Sequence, residues 1–463
     1  MATFSSETYK SRRANLQKKV GSGILLFMGN EESPMNYTDN CYHFRQDSSF
    51  LYFFGIDQPG LNAIIDVDND QEIIFGDELT INDVVWTGPQ TTIAESATQV
   101  GISTTKPAKE LSSFLKAAQS SGREVHYLPP YRDSNLLKIS EWLNFSPKQV
   151  EPGVSSKLVK GVISLRSYKS AEEIEEVTKA VNLSRKLHIK ALEMCHYGMM
   201  ESRISSVLHE IVIGEGGQFA YPPIITVNGQ TLHNHYYGNR LEKGQMLLVD
   251  AGAEVSSRYA GDITRTFAVD GKFTEQQSDI YSLVLNTEIN AINNSIPGRT
   301  YAEVHHKAMV DIANGLKDLG LMKGDIDEAV TEGAHALFCP HGLGHMIGLD
   351  VHDMEDLGED AVGYGEAKKR SNLFGTKALR LGRALEPGFV LTVEPGIYFI
   401  SELIDIWKSE NKFAQFIDYT ALESYRNGGG IRIEDNILIT NDGCEILGKP
   451  IPKSIDDIEE TEG

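Results

Sequence analysis

Along the first third of the chain, short apolar runs alternate with amphipathic stretches. SSETYKSRRANLQKKV, residues 5–20, reads as a polar amphipathic helix, and GILLFMG after it as a buried strand bounded by glycines. NAIIDVDNDQEIIFGD, residues 62–77, holds two β-rich runs around an Asp-Asn-Asp turn, which predicts a hairpin. ELSSFLKAAQSSG predicts a helix with a glycine stop. Strands separated by helices predict an α/β domain. A boundary is expected after EPGVSSKLVKGVISLRSYKS, where Ser170 and Glu173 have the spacing of a capping box. A long helix should follow, with Ile174, Val177 and Val181 on one face. The expected domains are residues 1–165 and 166–463, and the acidic tail SIDDIEETEG should be frayed.

Four segments of the second domain share a different pattern, an apolar β-type run that delivers an acidic side chain. MLLVDAGAE carries Asp250, YAGDITRTF carries Asp262, FVLTVEPGIYF carries Glu394 and GGGIRIEDNILIT carries Glu434. An unpaired buried carboxylate costs several kcal/mol. Four of them call for a common cation or for four separate partners. Between Asp250 and Asp262, AGAEVSSRYAG reads as a turn joining antiparallel strands, which would bring the two carboxylates within cross-strand reach. PHGLGHMIGLDVHD, residues 340–353, adds His341, His345 and His352. Four carboxylates and one imidazole form an oxygen-rich set that suits Mn²⁺, and also Co²⁺, Fe²⁺ or Zn²⁺. Four negative charges balance two divalent ions, which together activate water for hydrolysis. The zinc-protease pattern HExxH is absent, because glycine stands at position 342. These residues alone leave open which histidine completes the set.

Composition narrows the partners. The chain has 463 residues, 41% of them hydrophobic, and a formal net charge of −22. That acidity disfavours nucleic acid and anionic membrane surfaces, since phosphate binding rests on Lys and Arg. The four cysteines are scattered without a CxxC pair. With no apolar N-terminal run and no membrane-length segment, this points to the cytoplasm.

The order Asp250, Asp262, His345, Glu394, Glu434, in the words HGLGHMIGLDVHD, LTVEPGIY and IRIEDNILIT, resembles the metallopeptidase family of methionine aminopeptidase, aminopeptidase P and prolidase. YHFRQDSSFLYFFGID, residues 42–57, resembles the aminopeptidase P type of N-terminal domain. The resemblance implies an α+β "pita-bread" catalytic domain behind a smaller α/β domain. It implies two divalent metal ions, Mn²⁺ foremost, held by Asp250, Asp262, His345, Glu394 and Glu434, with Asp262 and Glu434 bridging. Glu394 would also shuttle the proton of the attacking water, and His352 would support the substrate carbonyl. His233 and His341 would line the substrate site, and Arg432 would orient a metal-binding carboxylate. Cys339 stands where an apolar residue is expected. Two long insertions, residues 354–383 and 401–428, depart from the pattern. Arg380, in the first, matches a position that in prolidases holds the substrate's terminal carboxylate.

The implied activity is removal of an N-terminal residue from peptides with proline second (Xaa-Pro aminopeptidase). The alternative is a dipeptidase for Xaa-Pro alone, and a remoter one is a non-catalytic binding module that kept the fold. A dimer is expected by analogy.

Overall fold

The computed structural model describes residues 3–365 and 370–461, so part of the first insertion lies outside the described residues. The chain forms two compact units. One runs from the N-terminus to Arg166 and includes Met354–Gly358; the other comprises Ser167–Asp353 and the chain from Glu359 onward.

In the first unit, β1 (Ile24–Met28), β2 (Asn62–Asp66), β3 (Gln71–Phe75), β4 (Thr104–Lys106) and β5 (Val125–Tyr127) form one sheet in the order β4-β3-β2-β1-β5. β2 and β3 make the hairpin expected from the Asp-Asn-Asp turn, with Asn62 opposite Phe75 and Asp66 opposite Gln71. The outer pairs β1–β5 and β3–β4 are parallel. Alternate strand residues Ile24, Leu26, Ile64, Ile73 and Phe75 share one core with Leu111, Leu115, Ile139 and Leu143. The last four come from the helices Glu110–Ser120 and Asp133–Leu143, which cover this face.

The second unit opens with the helix Ala171–Glu193, capped by the Ser170/Glu173 box. Its strands are β6 (Gln218–Phe219), β7 (Ile224–Thr226), β8 (Met246–Asp250), β9 (Ala253–Glu254), β10 (Thr264–Ala268), β11 (Val390–Val393), β12 (Gly396–Tyr398), β13 (Gly430–Arg432), β14 (Asp435–Ile439) and β15 (Cys444–Ile446). They form the sheets β10-β8-β7 and β11-β14-β15 and the pairs β12-β13 and β6-β9. Helices Glu275–Asn294 and Tyr301–Asp318 pack on each other and complete an α+β unit.

Two expectations need correction. β8 and β10 are antiparallel neighbours, but Asp262 lies two residues ahead of β10, so Thr264 is the residue opposite Asp250. Of the four carboxylates only Asp250 lies within a strand, as its last residue, while Asp262 and Glu434 stand just ahead of β10 and β14 and Glu394 just after β11. The described part of the acidic tail is also not frayed: Ile455–Thr461 is a helix with Ile458 fully buried, and residues 462–463 lie outside the described residues. The Ser454 hydroxyl accepts the Asp457 amide at 3.0 Å, and acids in the first turn suit the helix dipole.

Candidate active site

Backbone register brings the five candidate ligands together. Asp250 ends β8 opposite Thr264. Thr264 bridges to Glu434, whose amide donates to the Thr264 carbonyl at 3.1 Å. The next residue, Asp435, lies opposite Val393, which places Glu394 on the adjoining strand end. The Glu394 amide donates to the Leu343 carbonyl at 2.8 Å, and the Thr392 amide to the His345 carbonyl at 2.9 Å. The histidine segment therefore lies directly against β11. Gly344 permits this approach, since a Cβ there would stand 2.1 Å from the Thr392 carbonyl oxygen.

Ligand atoms of Asp262, His345 and Glu434 all lie within 4.8 Å of one another, and all three residues are buried. His345 Nε2 is 3.4 Å from Asp262 Oδ2 and 3.7 Å from Glu394 Oε1. Its Nδ1 donates to the Met346 carbonyl at 3.0 Å, which in the neutral ring leaves the Nε2 lone pair facing the carboxylates. Asp250 joins through Tyr221, whose hydroxyl is 2.6 Å from Asp250 Oδ1 and 2.5 Å from Asp262 Oδ1. The buried Arg432 guanidinium donates to Asp250 Oδ2 at 2.5 Å, to the Tyr398 hydroxyl at 2.8 Å and to Thr264 Oγ1 at 3.1 Å.

This crowding of charge is visible in the protonation equilibria. Burial, then the charges of Asp262, Glu394 and Asp250, raises the Glu434 carboxyl well above the usual carboxylate range. Burial, with Asp262 adding and His345 opposing, pushes Glu394 up to about 7. Burial also raises Asp250, against the pull of Arg432. Burial would raise Asp262 too, but its contact with His345 outweighs this and lowers it. Glu434 Oε2 accepts the Thr264 hydroxyl at 2.8 Å. Its Oε1 is buried and has no hydrogen-bond partner among the described residues. An orphaned buried carboxylate oxygen amid three further carboxylates and an imidazole is a donor set that fits divalent cations.

Around this cluster stand the other histidines. His341 donates from Nδ1 to the Gly342 carbonyl at 2.8 Å, and its Nε2 accepts from the Tyr398 hydroxyl at 2.9 Å. Burial, then the Arg432 charge, lowers its pKa to about 4, so the ring is neutral. The His352 ring packs edge-on against His345 at 4.4 Å between centroids. His233 is exposed, on the loop after β7. Cys339 is buried, and burial pushes its thiol up to about 11, so it packs as a small apolar residue. Arg380 is half-buried with Nη1 3.6 Å from Glu359 Oε1, inside its own insertion.

Tyr221, Tyr398 and Thr264 escaped the sequence reading. Tyr398 sits in the word EPGIY, two residues along the strand from Gly396, and period-2 alternation could have singled it out. Tyr221 has no local signal; only the fold brings it to Asp250, 29 residues on.

Residues 175–441 match the model of metallopeptidase family M24, and residues 9–126 match the aminopeptidase P N-terminal domain. A Xaa-Pro aminopeptidase of Escherichia coli (strain K12) is 31% identical over an alignment of 474 positions, covering 99% of this chain and 98% of that protein. A Xaa-Pro dipeptidase of Rattus norvegicus is 30% identical over 455, covering 96% and 90%. Among solved structures, the aminopeptidase of Pseudomonas aeruginosa superposes with a TM-score of 0.82 at 28% identity, covering 100% of this chain and 99% of that one. An aminopeptidase P of Escherichia coli in complex with substrate gives 0.81 at 28%, covering 99% and 98%.

Proposed function

The chain belongs to metallopeptidase family M24, and on that premise we propose that it is a Xaa-Pro aminopeptidase, releasing the first residue of peptides whose second residue is proline. The observation that carries this is the buried cluster of Asp262, His345 and Glu434, with Glu434 Oε1 orphaned. Asp250 and Glu394 adjoin it through Tyr221 and His345.

In this reading Asp250, Asp262, His345, Glu394 and Glu434 hold two divalent ions, Mn²⁺ foremost. Such ions supply Lewis acidity, which polarises the scissile carbonyl and acidifies water. The chain's own groups do the rest. With its side chain 20% exposed, against 8% for Asp262 and 13% for Asp250, Glu394 is the most open of these three carboxylates. It takes the proton of the attacking water and delivers it to the departing proline nitrogen. His352, beside His345, donates to the carbonyl oxygen as negative charge develops there. His341, held neutral and oriented by Tyr398, and the loop residue His233 line the substrate site. Arg432 fixes Asp250 by its 2.5 Å contact.

We assign this chemistry to a catalytic domain of residues 166–463, behind an N-terminal domain of residues 1–165. The four free cysteines suit a reducing cytoplasm, and by analogy the chain assembles as a dimer. Among the described residues no helix is long and apolar enough to cross a membrane.

A dipeptidase would use Arg380 to hold the free carboxylate of proline. The contact of Arg380 with Glu359 supports the aminopeptidase reading instead, because the guanidinium already has an anion. The retention of all five ligand-type residues speaks against a non-catalytic module. Cleavage of Ala-Pro-Ala and Ala-Pro, measured in parallel with added Mn²⁺, tests the proposal. Release of alanine from the tripeptide is expected. Hydrolysis of the dipeptide alone would make the chain a dipeptidase, and hydrolysis of neither would overturn both readings.

A further inference from the structure

His352 lies in a stretch without regular secondary structure, residues 346–353, yet the mechanism requires its ring to be held within a fraction of an ångström. The stretch closes on itself, with the Asp353 amide donating to the Met346 carbonyl at 2.9 Å. It is tied outward by Ile347, whose amide donates to the Val390 carbonyl at 3.1 Å, and by Gly348, whose carbonyl accepts the Ala260 amide at 2.8 Å. A side-chain contact reinforces these backbone ties. Asp353 Oδ2 meets Lys169 Nζ at 2.8 Å, with both side chains 1% exposed. Lys169 stands just ahead of the capping box that starts the helix Ala171–Glu193, and its own amide donates to the Gly388 carbonyl at 2.8 Å. The cation is therefore mounted on a rigid element. A Cβ at position 348 would stand 2.8 Å from Lys169 Cε and 2.9 Å from Asp353 Oδ2, so the ion pair packs directly beneath the loop.

A buried ion pair is weak evidence for stability, since apolar replacements are often as stable or more so; where one does matter, it is through the geometry it imposes. His352 and Asp353 are consecutive: one side chain faces His345 and the other is gripped by Lys169. Fixing the second fixes the backbone that aims the first. We propose that Lys169, through Asp353, is a positioning residue for His352, and hence for stabilisation of the charge that develops on the carbonyl oxygen. This rests on the role given to His352 above.

The test is a double-mutant cycle on the Mn²⁺-loaded full chain with Ala-Pro-Ala as substrate. Lys169→Met preserves length and removes the charge, and Asp353→Asn removes it from the other side while keeping the shape. Each should lower kcat about 10- to 100-fold, with KM changed by less than about 3-fold and metal content unchanged. Combined with His352→Ala, either should cost less than about 2-fold more, because the group being positioned is already gone. Should Lys169→Met fail to fold, Asp353→Asn alone decides. A folded, metal-replete single variant with wild-type kcat, or losses that multiply fully with that of His352→Ala, would overturn the proposal. Wild-type turnover in His352→Ala by itself would instead sink the role of His352, and that result is read without any Lys169 variant.

Discussion

Replacing Glu434 by Gln should cost no stability without metal and should lower stability with it. The amide side chain would keep the oxygen that accepts the Thr264 hydroxyl at 2.8 Å. An NH₂ group would replace Oε1, the buried atom that has no hydrogen-bond partner among the described residues. It would then face Asp262, Glu394 and Asp250, the carboxylates whose charges bear on Glu434. In excess chelator the variant should be no less stable than wild type, because the amide cannot carry the negative charge that burial and the three neighbouring carboxylates disfavour at this position. With Mn²⁺ at a hundred times its dissociation constant, the wild type gains about 2.7 kcal/mol per site. The variant has lost an anionic ligand and should forfeit most of that gain. Urea unfolding of both proteins, once with chelator and once with Mn²⁺, gives the four free energies needed. If Glu434→Gln destabilises equally in both media, Glu434 is a structural hydrogen-bond acceptor and the reasoning fails.

Arg432→Lys keeps a charge but cannot reach Asp250, Tyr398 and Thr264 together, as the planar fork does. Mn²⁺ affinity, measured by competition with a fluorescent chelator, should weaken about 10- to 100-fold; unchanged affinity would show that Asp250 does not need it. His188 and His305 are buried and pushed down to about 3, chiefly by burial, and His335 is likewise pushed to about 4. The unfolded chain takes up these protons below about pH 6.5 and the folded chain does not, so stability is lost as pH falls from there towards 3–4. At pH 5 each histidine accounts for about 2 kcal/mol of that loss, so between pH 7 and 5 the stability of His305→Gln should fall by about 2 kcal/mol less than that of wild type. Arg380→Ala should leave the ratio of tripeptide to dipeptide cleavage within about 2-fold, because the arginine already faces Glu359; collapse of a strong dipeptide preference would reassign the specificity.

What the sequence disclosed, and what it hid, follows from how each feature is encoded. The hairpin of β2 and β3 and the Ser170/Glu173 cap are local: their signals lie within a few residues, and the structure contains both. The four carboxylates stood out because each interrupts an apolar word, where a charge needs a reason. Their placement at strand ends was not legible, since a run such as YAGDITRTF does not show where pairing begins. Asp262 accordingly falls outside β10. Tyr221 and the Lys169–Asp353 pair were invisible for another reason. Lys169 and Asp353 are 184 residues apart, and neither sits in a periodic pattern. The terminal helix is hidden in the sequence because its acidity argues for solvent, whereas burial of the single apolar Ile458 and the cap at Ser454 hold it in place.

Whether this cluster holds two metal ions that serve Xaa-Pro cleavage is decided by titrating Mn²⁺ into chelator-stripped protein. Release of alanine from Ala-Pro-Ala is followed alongside the metal bound per chain. No cleavage is expected at the start, and a maximum at about two ions per chain, as a dinuclear site requires. Cleavage at the full rate by protein shown to be metal-free would refute the dinuclear reading.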